Sequence, residues 1–125
     1  MIKMFLFFSH RLSEDQIKEA QDLWKIDIFM YLPNCLQEKW SNIDPSLEEI
    51  NVNPFTGWIE ANAKENDIFL VQGDFGATYN LVKYLKDKDR TVVYSTTQRD
   101  CIEQKNKNNT TEIIHQYRHV RFRSY

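Results

Sequence analysis

Three short segments concentrate the side chains able to hold or transform an anionic ligand. The first is Phe8-Ser9-His10-Arg11, a hydroxyl, an imidazole and a guanidinium that directly follow an apolar run. Histidine titrates near neutral pH and suits general acid or base work. Arginine forks onto phosphate oxygens. A solvated loop in which Ser9 turns the chain gives the same residues. The second segment is Gln72-Gly73-Asp74-Phe75-Gly76-Ala77-Thr78, which holds two of the three glycines in the chain. Gly73 allows a tight turn or a close backbone approach. Gly76 and Ala77 let a helix begin close to a sheet or a ligand, with the free N–H groups of its first turn facing an anion. The segment is neither a Walker loop nor the three-glycine dinucleotide fingerprint. A helix capped by Asp74, with glycines serving the turn, is the plainer reading. The third segment is Tyr94-Ser95-Thr96-Thr97-Gln98-Arg99. Its hydroxyls and Arg99 suit phosphate or ribose, and a polar turn accounts for the hydroxyls equally well.

The closing stretch Arg118-His119-Val120-Arg121-Phe122-Arg123 is locally basic in a chain of net charge −2. Two-residue alternation puts His119, Arg121 and Arg123 on one strand face. Basic groups interleaved with aromatics hold phosphates and stack on bases. An edge strand guarded by charge has the same composition. The overall charge argues against a partner as large as a long nucleic acid, so any nucleotide site is a local patch. No His, Cys and carboxylate set has metal-ligand spacing, and neither a metal nor another cofactor is expected. Cys35 and Cys101 lie far apart and fit reduced thiols in a cytoplasmic protein. Cys101 is expected to pack within a hairpin. Asp15, Lys18, Glu19 and Asp22 have the spacing of a solvated helix face. Trp24, Trp40 and Trp58 fall at helical positions and suit a core or an interface. The run Met4 to Phe8 is too short to cross a bilayer, and no membrane association is expected.

The elements that must position these segments follow from pattern. At 125 residues one domain is expected. Ile2 to Phe8 is a nearly continuous apolar run, as in a parallel strand buried on both faces. Ser13 and Gln16 make a capping box for the next helix. Asp27 to Leu32 is a second strand. Cys35 to Ile43 and Ser46 to Ile50 are short helices broken by Pro45, and Thr56 to Lys64 is another. Asp67 to Val71 is a third strand, Phe75 to Asp87 a helix and Thr91 to Tyr94 a fourth strand. Arg99 to Gln104 and Thr111 to Phe122 flank a polar turn as a hairpin. Such alternation predicts an α/β fold: a compact Rossmann-like, mostly parallel open sheet flanked by helices, with a C-terminal β-hairpin. Ligands of such folds lie outside the carboxyl ends of the strands, where the three segments fall.

Taken together, these segments resemble the small stand-alone CRISPR-associated proteins of type III systems with a Rossmann-like, CARF-related fold. The likeness runs nearly end to end. It rests on Phe8-Ser9-His10 with Leu12 and Gln16, on Gln72 to Tyr79, on Tyr94-Ser95-Thr96-Thr97 with Arg99, and on His119 to Arg123. The resemblance implies a ring nuclease: a homodimer that binds cyclic oligoadenylate, chiefly the four-membered ring, on its two-fold axis and linearises it. Cleavage would then silence the antiviral effectors that the ring activates. The expected chemistry needs no metal, because the 2′-hydroxyl of the ring attacks the adjacent phosphorus and leaves a 2′,3′-cyclic phosphate. His10 or His119 is the expected acid or base, with Arg99, Arg121 or backbone N–H groups on the developing charge. Ser9, Arg11, Gln72, Gly73, Asp74, Phe75, Gly76, Ala77, Thr78, Ser95, Thr96, Thr97, Arg121 and Arg123 are the expected ligand contacts. Two rival readings stay open: a module that sequesters or senses the ring without breaking it, and an enzyme for mononucleotides or sugar phosphates on the same fold.

Overall fold

The computed structural model describes residues Met1–Tyr125. Its strands are β1 (Lys3–Phe7), β2 (Ile28–Tyr31), β3 (Ile68–Val71), β4 (Thr91–Lys105) and β5 (Thr111–Ser124). Its helices are α1 (Glu14–Asp22), α2 (Asn34–Ser41), α3 (Asn53–Asn62) and α4 (Phe75–Asp87). The strands form one sheet in the order β2-β1-β3-β4-β5. The first four are parallel, and β5 returns antiparallel to β4. The Rossmann-like α/β expectation therefore holds.

The apolar run of β1 is buried on both faces because its side chains alternate between two cores. Phe5 and Phe7 join Phe69, Val71 and Val92 beneath Trp40 of α2, Phe55 and Ile59 of α3, and Leu81 and Leu85 of α4. Met4 and Leu6 join Ile68, Leu70, Val93 and Phe122 beneath Ala20 of α1. Three helices thus cover one face, and α1 alone covers the other.

Local signals explain most element boundaries. The Ser13 hydroxyl accepts from Gln16 N at 3.2 Å, and Gln16 Oε1 accepts from Ser13 N at 2.8 Å, completing the capping box. Helix α4 begins and ends where expected. Helix α3 starts at Asn53 instead of Thr56, because Pro54 occupies its first turn, where a missing N–H costs nothing. The expected helix Ser46 to Ile50 does not form. Asp44 instead takes both the Ser46 N–H at 2.9 Å and its hydroxyl at 2.8 Å, an Asx turn that competes with a helical start. These same bonds hold the Asp44 carboxyl below its usual range.

The largest departure lies in β4. The sequence predicts a strand ending at Tyr94, a loop through Arg99, and then a separate hairpin. Instead β4 runs on from Thr91 to Lys105, because β5 supplies a ladder from Val93 to Lys105. Threonine fits such a pleated surface well, so hydroxyls that read as a turn are part of a strand.

At the opposite, amino edge of the sheet, Asp67 is 2% exposed. Its carboxylate accepts from Lys3 N at 3.0 Å and from Lys64 N at 2.7 Å. Asp67→Ala strands both donors. We expect a loss of about 1–3 kcal/mol, measured by urea denaturation, whereas an unchanged midpoint would show that water replaces the carboxylate.

Candidate functional site at the carboxyl edge of the sheet

Strand register places the segments. Phe7 pairs with Val71 and Leu70 with Val93, so Phe8, Gln72 and Ser95 stand level on three adjacent strands. The strand order reverses at β1, since β2 lies to one side of it and β3 to the other. Crevices of doubly wound sheets open at such switch points. Ser9-His10-Arg11 and Gly73-Asp74-Phe75 leave the sheet there side by side.

Helix α2 forms the floor. Its Gln37 Nε2 donates to Phe8 O at 3.0 Å, and its Ser41 hydroxyl bonds Ser9 Oγ at 3.1 Å. Trp40 is 1% exposed, and its indole N–H donates to Gln72 O at 3.1 Å. A Cβ on Gly73 would come within 2.8 Å of Trp40 Nε1. The close approach that glycine allows at 73 is therefore to an indole below the loop.

Above this floor, Asp74 caps α4. Its Oδ2 accepts from Ala77 N at 3.0 Å and its carbonyl accepts from Thr78 N at 2.8 Å. The N–H groups of Phe75 and Gly76 have no protein acceptor. Thr78 Oγ1, in the same turn, is the one buried side-chain polar atom without a partner. The Phe75 ring is 94% exposed, and Tyr79, one turn on along the same helix face, is 67% exposed. On the β1 side, His10 and Arg11 are exposed and line a cleft of about 190 Å³ with Tyr31 and Asn34. The Arg11 guanidinium lies over the Tyr31 ring at 5.1 Å.

Ser95 and His119 are instead drawn into the fold. Ser95, 7% exposed, is held on three sides. Its N–H donates to Gln72 Oε1 at 2.8 Å, Gln16 Nε2 donates to its Oγ at 3.3 Å, and the Oγ lies 2.5 Å from His119 Nδ1. His119 Nε2 in turn lies 2.6 Å from Glu19 Oε1. A carboxylate only accepts, so Nε2 carries hydrogen, and in the neutral imidazole Nδ1 accepts from Ser95. The order Ser95, His119, Glu19 is that of a nucleophile, base and carboxylate. Burial argues against that use, because Ser95 itself is only 7% exposed and its hydroxyl already accepts from Gln16. His119 ties β5 to α1. The cleft beside it is lined by Asp15 and Glu19 together with His119 and Arg121, so two carboxylates share it with one guanidinium.

Several expectations change accordingly. The bulge pairs Thr96 with Arg121 but Thr97 with His119, leaving Val120 unpaired. One extra residue flips the faces that follow. His119 therefore faces α1 beside Phe122, 4.7 Å away, instead of sharing a face with Arg121 and Arg123. The Thr96 hydroxyl is consumed by Arg121 N at 3.2 Å and Arg121 O at 2.9 Å. Arg123 donates to the Tyr94 hydroxyl at 3.0 Å. Arg99 lies out on the hairpin against His115, and Thr97 is exposed at its base. Cys101 is exposed instead of packed, since nothing covers the hairpin.

Glu19 is no solvated helix residue. It also accepts from Phe122 N at 2.9 Å and from Trp24 Nε1 at 3.3 Å. Its helical spacing hid that role, because the acceptor is set by a strand a hundred residues away. His115 went unnoticed because nothing around it in sequence marks it; only pairing opposite Cys101 brings it to Arg99. At the same edge, the Tyr125 hydroxyl donates to Val71 O at 2.6 Å, and burial, aided by the neighbouring Tyr94, raises its pKa.

The fold and these loops define a Rossmann-like α/β protein with an anion-suited crevice at the carboxyl edge of its sheet. The chain belongs to the family described as "Uncharacterized protein MJ1673 family", whose model matches residues 2–123. It is 46% identical over 127 residues to "Uncharacterized protein MJ1673" of Methanocaldococcus jannaschii, covering 100% of this chain and 98% of that one. No solved structure matches it. No helix is long and apolar enough to cross a membrane.

Removing the Glu19 carboxylate strands the donors of His119, Phe122 and Trp24. Glu19→Ala is expected to lose at least about 1.5–3 kcal/mol, read by chemical denaturation. Equal stability would show that the latch contributes nothing.

Proposed function

We propose that this protein is a metal-independent ring nuclease that binds cyclic oligoadenylate, chiefly the four-membered ring, at the carboxyl edge of its sheet. In this reading it is a CRISPR-associated protein that switches off type III signalling. The observation that carries the proposal is the first turn of α4. It offers two unpartnered N–H groups, of Phe75 and Gly76, beside a phenyl ring that is 94% exposed. A helix N-terminus attracts phosphate, and an exposed aromatic is a stacking platform for a base. A ligand made of phosphates and adenines needs both.

The resemblance and the geometry together support the following roles. Phosphate rests on the α4 turn, and an adenine stacks on Phe75 and Tyr79. Arg11 faces a second phosphate from the β1 loop. His10 is exposed, whereas both nitrogens of His119 are committed, so the general acid or base narrows to His10. His10 takes the proton of a ribose 2′-hydroxyl as that oxygen attacks the adjacent phosphorus. The bond to the 5′-oxygen breaks, that oxygen takes up a proton from water, and the product ends in a 2′,3′-cyclic phosphate and a 5′-hydroxyl. The N–H groups of Phe75 and Gly76 receive the charge that develops on the phosphoryl oxygens. Holding the hydroxyl in line supplies much of the acceleration.

The test is cleavage of excess labelled cyclic tetra-adenylate in EDTA. Repeated turnover to cyclic-phosphate ends is expected, with His10→Ala slowing it about 10²–10⁴-fold and leaving binding nearly intact. Phe75→Ala should weaken binding by about 1–3 kcal/mol. Tight retention of uncut ring would make the protein a sequestering module. Metal-dependent cleavage to 3′-hydroxyl ends would overturn the mechanism, and preference for mononucleotides would overturn the substrate.

A further inference from the structure

Strands β4 and β5 continue past the sheet that they close. Strand β3 ends level with Tyr94, yet the β4–β5 ladder runs on to the pair Lys105 and Thr111. Cross-strand pairing sorts the side chains of this arm. Arg99 opposes Tyr117, and Cys101 opposes His115, so these four share one face with Ile113. All five are exposed. Cys101 stands six residues beyond Ser95, hence about 20 Å past the strand ends that carry the loops. No step of the reaction described above uses it.

A nucleophile, a base and a cation meet on that face. Cys101 Sγ lies 3.3 Å from His115 Nδ1. Arg99 Nε donates to the same nitrogen at 3.1 Å, and Arg99 Nη2 lies 2.9 Å from His115 Nε2. In a neutral imidazole the nitrogen that accepts holds the lone pair, so Nδ1 is the basic nitrogen, and it faces the thiol. The thiolate is the nucleophile of sulfur chemistry, and a base within hydrogen-bond reach activates it.

Charge defines the reagent. Arg118, on the opposite face of the arm, pairs with Asp100 at 3.5 Å, whereas no carboxylate pairs with Arg99. An exposed guanidinium without a carboxylate is a fork for one that a ligand brings. Tyr117, 69% exposed, and Ile113, 63% exposed, offer apolar contact on the same face. These groups suit a small disulfide that carries a carboxylate, as disulfides of amino acids and short peptides do.

We propose that Cys101 is a modification site, at which a carboxylate-bearing low-molecular-weight disulfide exchanges to leave a mixed disulfide on the arm. His115 Nδ1 takes the thiol proton as Cys101 Sγ attacks one sulfur of the reagent. A new S–S bond forms and the old one breaks. The departing sulfur carries off the electron pair of the broken bond and takes the proton back from His115, leaving as a thiol. Cys101 is thereby oxidised and half of the reagent reduced. Attack by a second thiol reverses the step, so the mark follows the thiol–disulfide balance around the protein. This site does not rest on the functional reading above.

Cys35 is the internal control. It too is exposed, in the first turn of α2, and a helix N-terminus is another setting in which thiols react, but no imidazole or guanidinium lies against it. An ordinary thiol is only about 3% thiolate at pH 7, so full activation gains at most about thirtyfold, and less because nucleophilicity falls with basicity. The probe is oxidised glutathione at neutral pH, with digestion and mass spectrometry following each cysteine of the intact protein. Cys101 is expected to be modified about tenfold faster than Cys35. His115→Ala should remove that excess, while the rate at Cys35 and the far-ultraviolet circular dichroism stay unchanged. Arg99→Gln should abolish the preference of Cys101 for oxidised glutathione over cystamine, a disulfide with amines in place of carboxylates. Cys35 reacting as fast as Cys101, or a Cys101 rate indifferent to His115→Ala, overturns the site. Equal rates with the two disulfides in the unaltered protein overturn the role of Arg99.

Discussion

The hydrogen-bonded knot around Ser95 is the constraint on which the rest depends. Ser95 sits where the parallel sheet stops and the hairpin takes over. Its N–H is held by Gln72 of the β3 loop, and its hydroxyl by Gln16 of α1 and His119 of β5. Glu19 then binds His119 and the Phe122 N–H together. Four elements are fixed by one buried polar cluster, and nearly every member is satisfied. That matters because a half-satisfied cluster would cost more than an apolar one. The knot sets the register of β5, and the register sets the bulge at Val120. The bulge decides which basic residues face helix α1 and which face solvent.

Two consequences reach the proposed site. Gln72 is pinned through its side chain by Ser95 and through its carbonyl by Trp40, so the loop that leads into α4 leaves from a rigid post. Phe75 and Gly76 are therefore presented by packing. The uneven helix cover has the opposite effect. With α1 alone on one face, the far half of the β4–β5 ribbon has no layer above it. The fold thus combines a rigid loop edge with an arm that lacks a partner within its own chain.

Much of this was legible in the sequence. The continuous apolar run of β1, the Ser13 capping box and the Asp74 cap are local signals, and local signals survive folding. That the loops lie at the carboxyl ends of the strands followed from the alternation of strands and helices. What misled was non-local. The hydroxyls of Ser95 to Thr97 read as a turn because their ladder partners lie more than twenty residues away. His119 read as a free imidazole because Glu19 is a hundred residues earlier. Strict alternation put it with Arg121 and Arg123, and a single unpaired Val120 undid that. The reason for Gly73 also lay elsewhere in the chain, in the indole of Trp40. These are failures of range, since each residue's role is set by a partner that its neighbours do not announce.

The central claim is that the turn from Gly73 to Ala77 and the loop from Ser9 to Arg11 form one ligand-binding edge. Amide spectra of the isotopically labelled protein, titrated with cyclic tetra-adenylate, test this directly. The account requires the largest shifts at the N–H groups of Phe75 and Gly76, with accompanying shifts at His10 and Arg11 and none along the exposed face of α3. Shifts centred on the cleft lined by Asp15, Glu19 and Arg121, or no shifts at saturating ligand, would contradict it.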